Sequence, residues 1–267
     1  CDYNNNGIYE PYEGDYPKIR GDQAVFFIFN DEKGPHTGTN GKKLGVEIHA
    51  MMYGFDRPED SALFNTVFLH YDIFNRSDKI YDSTFLGFWT DTDVGYPWDD
   101  FIGCHVQGGY YYGYNGDSTD GYDGNMVYGL NPPAQSVSFL AGPLMDNDNL
   151  DNSAGLCDES INGLHFEDGI VDNERLGMTG FHYFTNSGGF NGDPQIAPDF
   201  YNYMRGYWKD STHLMFGGNG HPELGSTEVE TRFMFPWNSD TCNWGTLGIQ
   251  VSEEPWNEMT VGNDPWD

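Results

Sequence analysis

Residues Asp2 to Glu13, DYNNNGIYEPYE, alternate oxygen-bearing side chains in a spacing that suits a hard cation. Asp2, Asn4, Asn6, Gly7 and Glu13 match D-x-[DN]-x-[DN]-G-x5-E position for position. Calcium takes about six to eight oxygen ligands at roughly 2.3–2.6 Å. A tightly wound loop would turn Asp2, Asn4 and Asn6 inward, with the Ile8 carbonyl and a bidentate Glu13 completing the shell. Pro11 within the loop, and Gly14 and Pro17 just after it, exclude the flanking helix of an EF-hand. The expected role is a structural clamp, because a sensor needs helices to move. The alternative is an Asn/Gly turn with scattered acids.

Acidic residues gather again further along, always among Asn and Gly: DTDVGYPWDD (Asp91 to Asp100), NGDSTDGYDG (Asn115 to Gly124), DNDNLDN (Asp146 to Asn152) and EDGIVDNE (Glu167 to Glu174). Two carboxylates about 4 Å apart repel by roughly 4 kcal/mol at an effective dielectric of ~20. Such clusters need a cation or proton between the groups, or groups that point apart into water. Bound calcium is the expected reading for some of them.

Overall, 42 acidic residues face 12 basic ones, a formal charge of −30. That balance excludes nucleic acid as a partner, since phosphate binding requires a basic face. It also argues against docking on an anionic membrane surface. Aromatic content of 16% within 37% hydrophobic residues speaks for a folded chain rather than a disordered acidic one. No apolar run approaches the roughly 20 residues of a membrane span, so no membrane insertion is expected. Cys1, Cys104, Cys157 and Cys242 form no CxxC pair, which excludes a zinc ribbon. Millimolar calcium outside cells favours an extracellular or cell-surface setting, where two disulfides can form. Cys157–Cys242 is the favoured pairing, with all three combinations open.

The elements that must position these groups read mainly as strands. Gln23 to Asp31, Lys43 to Phe55, Asn65 to Ser77 and Ser83 to Asp93 are rich in β-formers. Shorter candidates are GGYYYGYNG, SVSFLAGPL, GFHYFTN, HLMFGG and TRFMFPW. One short helix is expected near 199–209, within Ala197 to Ser211, capped by Asp199 and striped by Phe200, Tyr203, Met204 and Tyr207. The spacing fits an antiparallel β-sandwich with long acidic calcium-binding loops. Residues 1–20 form a calcium-loop segment and 21–267 one β-rich domain, expected to be part of a longer chain because the sequence starts inside a motif.

The stretches GIYEPYEGDYPKIRGDQAVFFIFND, LGVEIHAMMYGF, GFWTDTDVGYPWDDFIGC, YYGYNGD, NPPAQSVSFLAGPLMD, DFYNYMRGYWKDSTHLMFGGNGH and FMFPWNSD occur here in order. Together they resemble a region of large secreted Bacteroidota proteins that carry a C-terminal type IX secretion sorting domain. The resemblance spans nearly the whole chain and implies an extracellular address more than an activity. It sharpens two ligand sets. Asp91, Asp93, Asp99 and Asp100, with Asn115 and Asp117, are the expected shell of one ion. Asp146, Asp148 and Asp151 are expected to meet Asp168, Asp172 and Glu174 around a second, although an insertion containing Cys157 separates the halves. The alternative for each is a solvated acidic loop.

Catalysis has little support in the sequence. Glu47 beside His49, on a predicted strand, is the nearest approach to a hydrolase carboxylate. A charge in so apolar a strand must be functional or paired, and Arg76 or Lys79 is the expected partner. The His residues lack zinc-protease spacing, and no G-x-S-x-G elbow occurs. Exposed rings at Tyr96, Trp98, Tyr110 and Tyr112 would instead suit stacking on a glycan. The sequence therefore points to a calcium-stabilised structural or adhesion segment. Its expected partners are other surface proteins, copies of itself or flanking domains. A calcium-dependent glycan-binding module is the alternative, and a glycoside hydrolase a more distant one.

Overall fold

The computed structural model describes residues 2–16, 18–122, 127–155, 160–251 and 255–262. It is mainly β, and every ladder between its strands is antiparallel, as the strand spacing predicts. The chain divides into two compact units, Cys1–Ser83 and Thr84–Asp267. The loop that the sequence sets apart as 1–20 folds within the first unit.

In the first unit, β1 (Gln23–Asn30), β2 (Val46–Gly54) and β3 (Phe68–Asn75) form a sheet in that order. All three were predicted. The long connection after β1 is closed by Asp31, whose carboxylate accepts from the backbone N–H groups of Leu44 (2.5 Å), Gly45 (3.0 Å) and Val46 (3.0 Å). A one-turn helix, α1 (Ser61–Phe64), is capped by Asp60, which accepts from Ala62 N at 3.1 Å and Leu63 N at 3.3 Å.

In the second unit, β4 (Asp100–His105), β5 (Tyr110–Asn115) and β8 (Ala134–Ser138) form an open sheet. Between them, β6 (Thr119–Asp120) pairs with β7 (Gly129–Leu130). The predicted strand at Ser83 to Asp93 is not formed. The aromatic runs after residue 180 make isolated bridges rather than strands, such as Phe181 with Phe233 and Trp237 with Trp256. Phe235 (φ 46°) and Trp237 (φ 51°) adopt left-handed backbone, which breaks the extended run a strand needs.

The helix α2 spans Ala197–Met204 and is shorter than predicted. It stops before Gly206, whose φ of 78° is left-handed. Asp199 caps it from inside, accepting from Gln195 N (2.9 Å) and Ile196 N (3.3 Å). Of the predicted stripe, Tyr203 is buried and Phe200 and Met204 remain partly exposed.

The core of this unit is aromatic. Trp208, Leu214, Phe233, Met234 and Phe235 have no solvent exposure. Trp208 donates its indole N–H to the Gly220 carbonyl at 2.8 Å, so its burial leaves no polar group orphaned. Cys104 lies in the same core as a free thiol, donating to the Met234 carbonyl at 3.2 Å, and burial pushes its pKa up. A second disulfide through Cys104 is therefore excluded. Cys1 and Cys157 lie outside the described residues, and with them the Cys157–Cys242 pairing. No described helix is long and apolar enough to cross a membrane.

Candidate metal centres

The first cluster is the Asp2–Glu13 loop, which is wound on itself. Asp2 accepts from Asn6 N (3.2 Å) and Gly7 N (2.7 Å), Asn4 from Asn6 N (3.1 Å), and Asn6 from Ile8 N (2.7 Å). These turns commit the three predicted side-chain oxygens to backbone N–H groups within the loop, and each oxygen keeps a further lone pair. Glu13 faces Asn4 Nδ2 only at 3.5 Å, whereas Glu10 accepts from Asn6 Nδ2 at 2.6 Å and Asn4 Nδ2 at 3.2 Å. Ile8 is exposed. Two further acids emerge that the motif does not name. Glu10 is one. Asp15 is the other, buried, accepting from Tyr3 N and Glu10 N at 2.7 Å each. Those backbone donors hold its carboxyl below the usual range.

The second cluster sits where β4 begins. Register pairs Asp100 with Asn115, so both side chains leave the β4–β5 ladder on one face. Asp100 is 3% exposed and Asn115 8%. Asp100 Oδ2 accepts from Val94 N at 2.6 Å. Asp99 is tied in by Gly116 N, which donates to its carbonyl at 2.6 Å, and by Gly121 N, which donates to its Oδ2 at 3.3 Å. Asp99 Oδ1, Asp100 Oδ1 and Asn115 Oδ1 are all buried with no hydrogen-bond partner. Burial first, and the charges of Asp99, Asp120 and Asp93 after it, push the Asp100 carboxyl up to about 6. Burial also raises Asp99.

Asp120, missed in the sequence reading, is the anchor of this region. It is 1% exposed and accepts from Tyr96 N (2.8 Å) and Tyr128 N (2.7 Å). Gly95 lies against it: a Cβ there would fall 1.9 Å from Asp120 Oδ2, at a φ of 90°. Only glycine fits. The remaining predicted ligands are less tightly held, although the charges of Asp93 and Asp117 still reach Asp100 and Asp99 respectively. Asp117 accepts from Thr119 N at 2.6 Å and so caps its own turn, while Asp91 and Asp93 are exposed.

The third cluster joins the two halves that the sequence expected to meet. Asp172 N donates to Leu150 O (3.1 Å), Glu167 N to Asn152 O (3.1 Å) and Met145 N to Glu174 O (3.0 Å), which lays one acidic loop along the other. Asp146, Asp148 and Asp172 each present a carboxylate oxygen within 4.8 Å of the others. Behind them Glu174, 1% exposed, accepts from Asn152 N at 2.6 Å. Asp151 accepts from Gly169 N at 2.7 Å through Oδ2, while its buried Oδ1 has no partner. Asp168 turns away, accepting from Asn173 Nδ2 at 3.0 Å and facing His165 Nδ1 at 3.2 Å; Asn173 chiefly holds its carboxyl low. Lost hydration, then Asp148, Glu174 and Asp172, raise Asp146. An oxygen-only donor set of this charge suits calcium.

Elsewhere, Glu47 meets the partner expected of it. Arg76 Nη2 donates to Glu47 Oε1 at 2.8 Å and His49 Nε2 lies at 3.0 Å; Arg76 first and His49 second hold the carboxyl low. Among the proposed stacking rings, Trp98 is 54% exposed, whereas Tyr96 stacks on Tyr122 and Tyr110 on His105. Tyr112 lies across Gly103 and is half-buried.

Comparison with models of protein families, with curated proteins and with solved structures gives no match.

Proposed function

We propose that this chain is a calcium-stabilised segment of an extracellular or cell-surface protein, with a structural or adhesive role and no catalysis of its own. The observation that carries the reading is the convergence of Asp146, Asp148 and Asp172 within 4.8 Å, from two loops separated by an insertion. Three carboxylates this close repel, and a bound cation relieves that repulsion. A bound ion would bridge the two loops and stabilise the folded chain by mass action, at about 2.7 kcal/mol for a hundredfold excess over Kd. The proposed address follows the resemblance to secreted Bacteroidota proteins, and calcium is abundant at that address. The partners are then neighbouring surface proteins, flanking domains or further copies of the chain.

The test is thermal unfolding of the full chain in chelator, in millimolar calcium and in millimolar magnesium. A calcium-specific rise of several degrees is expected. No shift, with no metal retained through purification, would sink the proposal.

A further inference from the structure

The first unit contains a cleft of about 310 Å³, one wall of which is the loop of the first candidate metal centre, through Asp2, Tyr9 and Asp15. That volume is at the lower end of the roughly 300–1,000 Å³ typical of small-molecule sites. Its floor is apolar: Met51 is buried, and Phe26, Tyr9 and His49 lie in a ring cluster with centroids 6.1–6.5 Å apart. Lys18 and Arg20 stand at its rim.

The charges around the cleft are not equivalent. Asp2 and Asp15 are each committed to two backbone N–H groups, and Asp72 faces His70 at 3.3 Å. Lys18 and Arg20 make no hydrogen bond or ion pair among the described residues. The cleft thus joins an apolar floor of mutually tilted rings to two cations without partners among the described residues, with carboxylate acceptors in the same lining. A planar aromatic acid would use the floor and the cations but would press its π-face edge against Asp72 without a donor to offer it. A sugar acid satisfies all three parts. Its C–H face lies on the rings, its carboxylate meets a guanidinium that accepts such groups bidentately, and its hydroxyls donate to the acids.

We propose that this cleft binds a saccharide containing a uronic acid, with Arg20 and Lys18 taking the carboxylate, Tyr9 and Phe26 the ring face, and Asp72 a hydroxyl. The chain's charge of −30 opposes an anion at long range. Salt screens that field beyond about 8 Å at physiological strength, which leaves the contacts to decide. Phe26 and Asp72 stand on the sheet, whereas Tyr9 belongs to the Asp2–Glu13 loop, so the titration is run both in chelator and in millimolar calcium.

Calorimetric titration of the full chain with di- and trisaccharides of galacturonate and glucuronate, each beside its neutral counterpart, tests it. Saturable binding of an acidic saccharide is expected, at least tenfold tighter than the neutral match. The double variant Lys18→Ala, Arg20→Ala should weaken it at least tenfold while keeping the parent melting midpoint; should that variant not fold, Lys18→Gln, Arg20→Gln replaces it. No binding of any acidic saccharide, equal affinity for the neutral one, or affinity unchanged in the double variant overturns the proposal.

Discussion

The two acidic regions of the second unit solve one electrostatic problem in opposite ways. At the loop pair, Asp146 and Asp148 are exposed, so water can solvate their repulsion when no cation is bound. At the start of β4, Asp100 and Asn115 are buried from bulk solvent with unpartnered oxygens. Placement relative to solvent, more than the number of acids, decides how strongly a cluster depends on a cation or a proton. An exposed cluster is a place where calcium can bind. A buried one is a place where something positive is needed.

Three substitutions test this contrast. The largest effect is expected from Asp120→Ala, which removes two hydrogen bonds to a buried charge. Each such bond contributes about 1.5–3 kcal/mol, so a loss of roughly 3–6 kcal/mol should appear in urea unfolding. A loss below about 1 kcal/mol would break the claim that this region is anchored from within.

Asp100→Asn should act with a sign that depends on conditions. The Asp100 carboxyl is pushed from 3.8 up to about 6, so between those values the folded chain holds a proton that the unfolded chain has released. In chelator the parent should therefore gain stability from this group as pH falls from about 7 through 6 towards 4, and the variant should lose that gain. Comparing parent and variant at each pH isolates Asp100 from His182. That buried ring is held neutral, with its pKa lowered to about 4, and it loses stability over the same descent. In saturating calcium at pH 7 the variant should forfeit up to about 2.7 kcal/mol. Identical pH profiles for the two chains would show that Asp100 is solvated after all.

The smallest effect belongs to Asp148→Asn. In chelator it should change stability by less than about 1 kcal/mol, as exposed charges do, yet lower the calcium bound per chain by one in equilibrium dialysis. An unchanged stoichiometry would remove Asp148 from the shell.

These contrasts also mark what the sequence makes legible. The three strands of the first unit were readable because their β-formers run unbroken between turns, and the Glu47–Arg76 pair because a charge in an apolar strand demands a partner. The meeting of Asp146 and Asp148 with Asp172 was readable from two acidic loops at either side of an insertion. Asp120 and Asp15 were not. Each is one acid among many in sequence, and its weight comes from backbone N–H groups that tertiary folding aims at it. Gly95 was the faint signal for Asp120, since its lack of a side chain leaves room for that carboxylate. The aromatic runs after residue 180 misled in the other direction. Their β-forming residues fill a core, but left-handed backbone at Phe235 and Trp237 spends them on turns rather than strands.

Cys104 gives the molecule an internal clock. Its sulfur sits behind the β4 ladder, 1% exposed, protonated and hydrogen-bonded to the Met234 carbonyl. An alkylating reagent meets it only when β4 parts from the aromatic core, so the labelling rate reads the free energy of the opening that exposes this strand. Asp100 begins the strand that carries this sulfur, and a cation held there would slow the clock from four residues away.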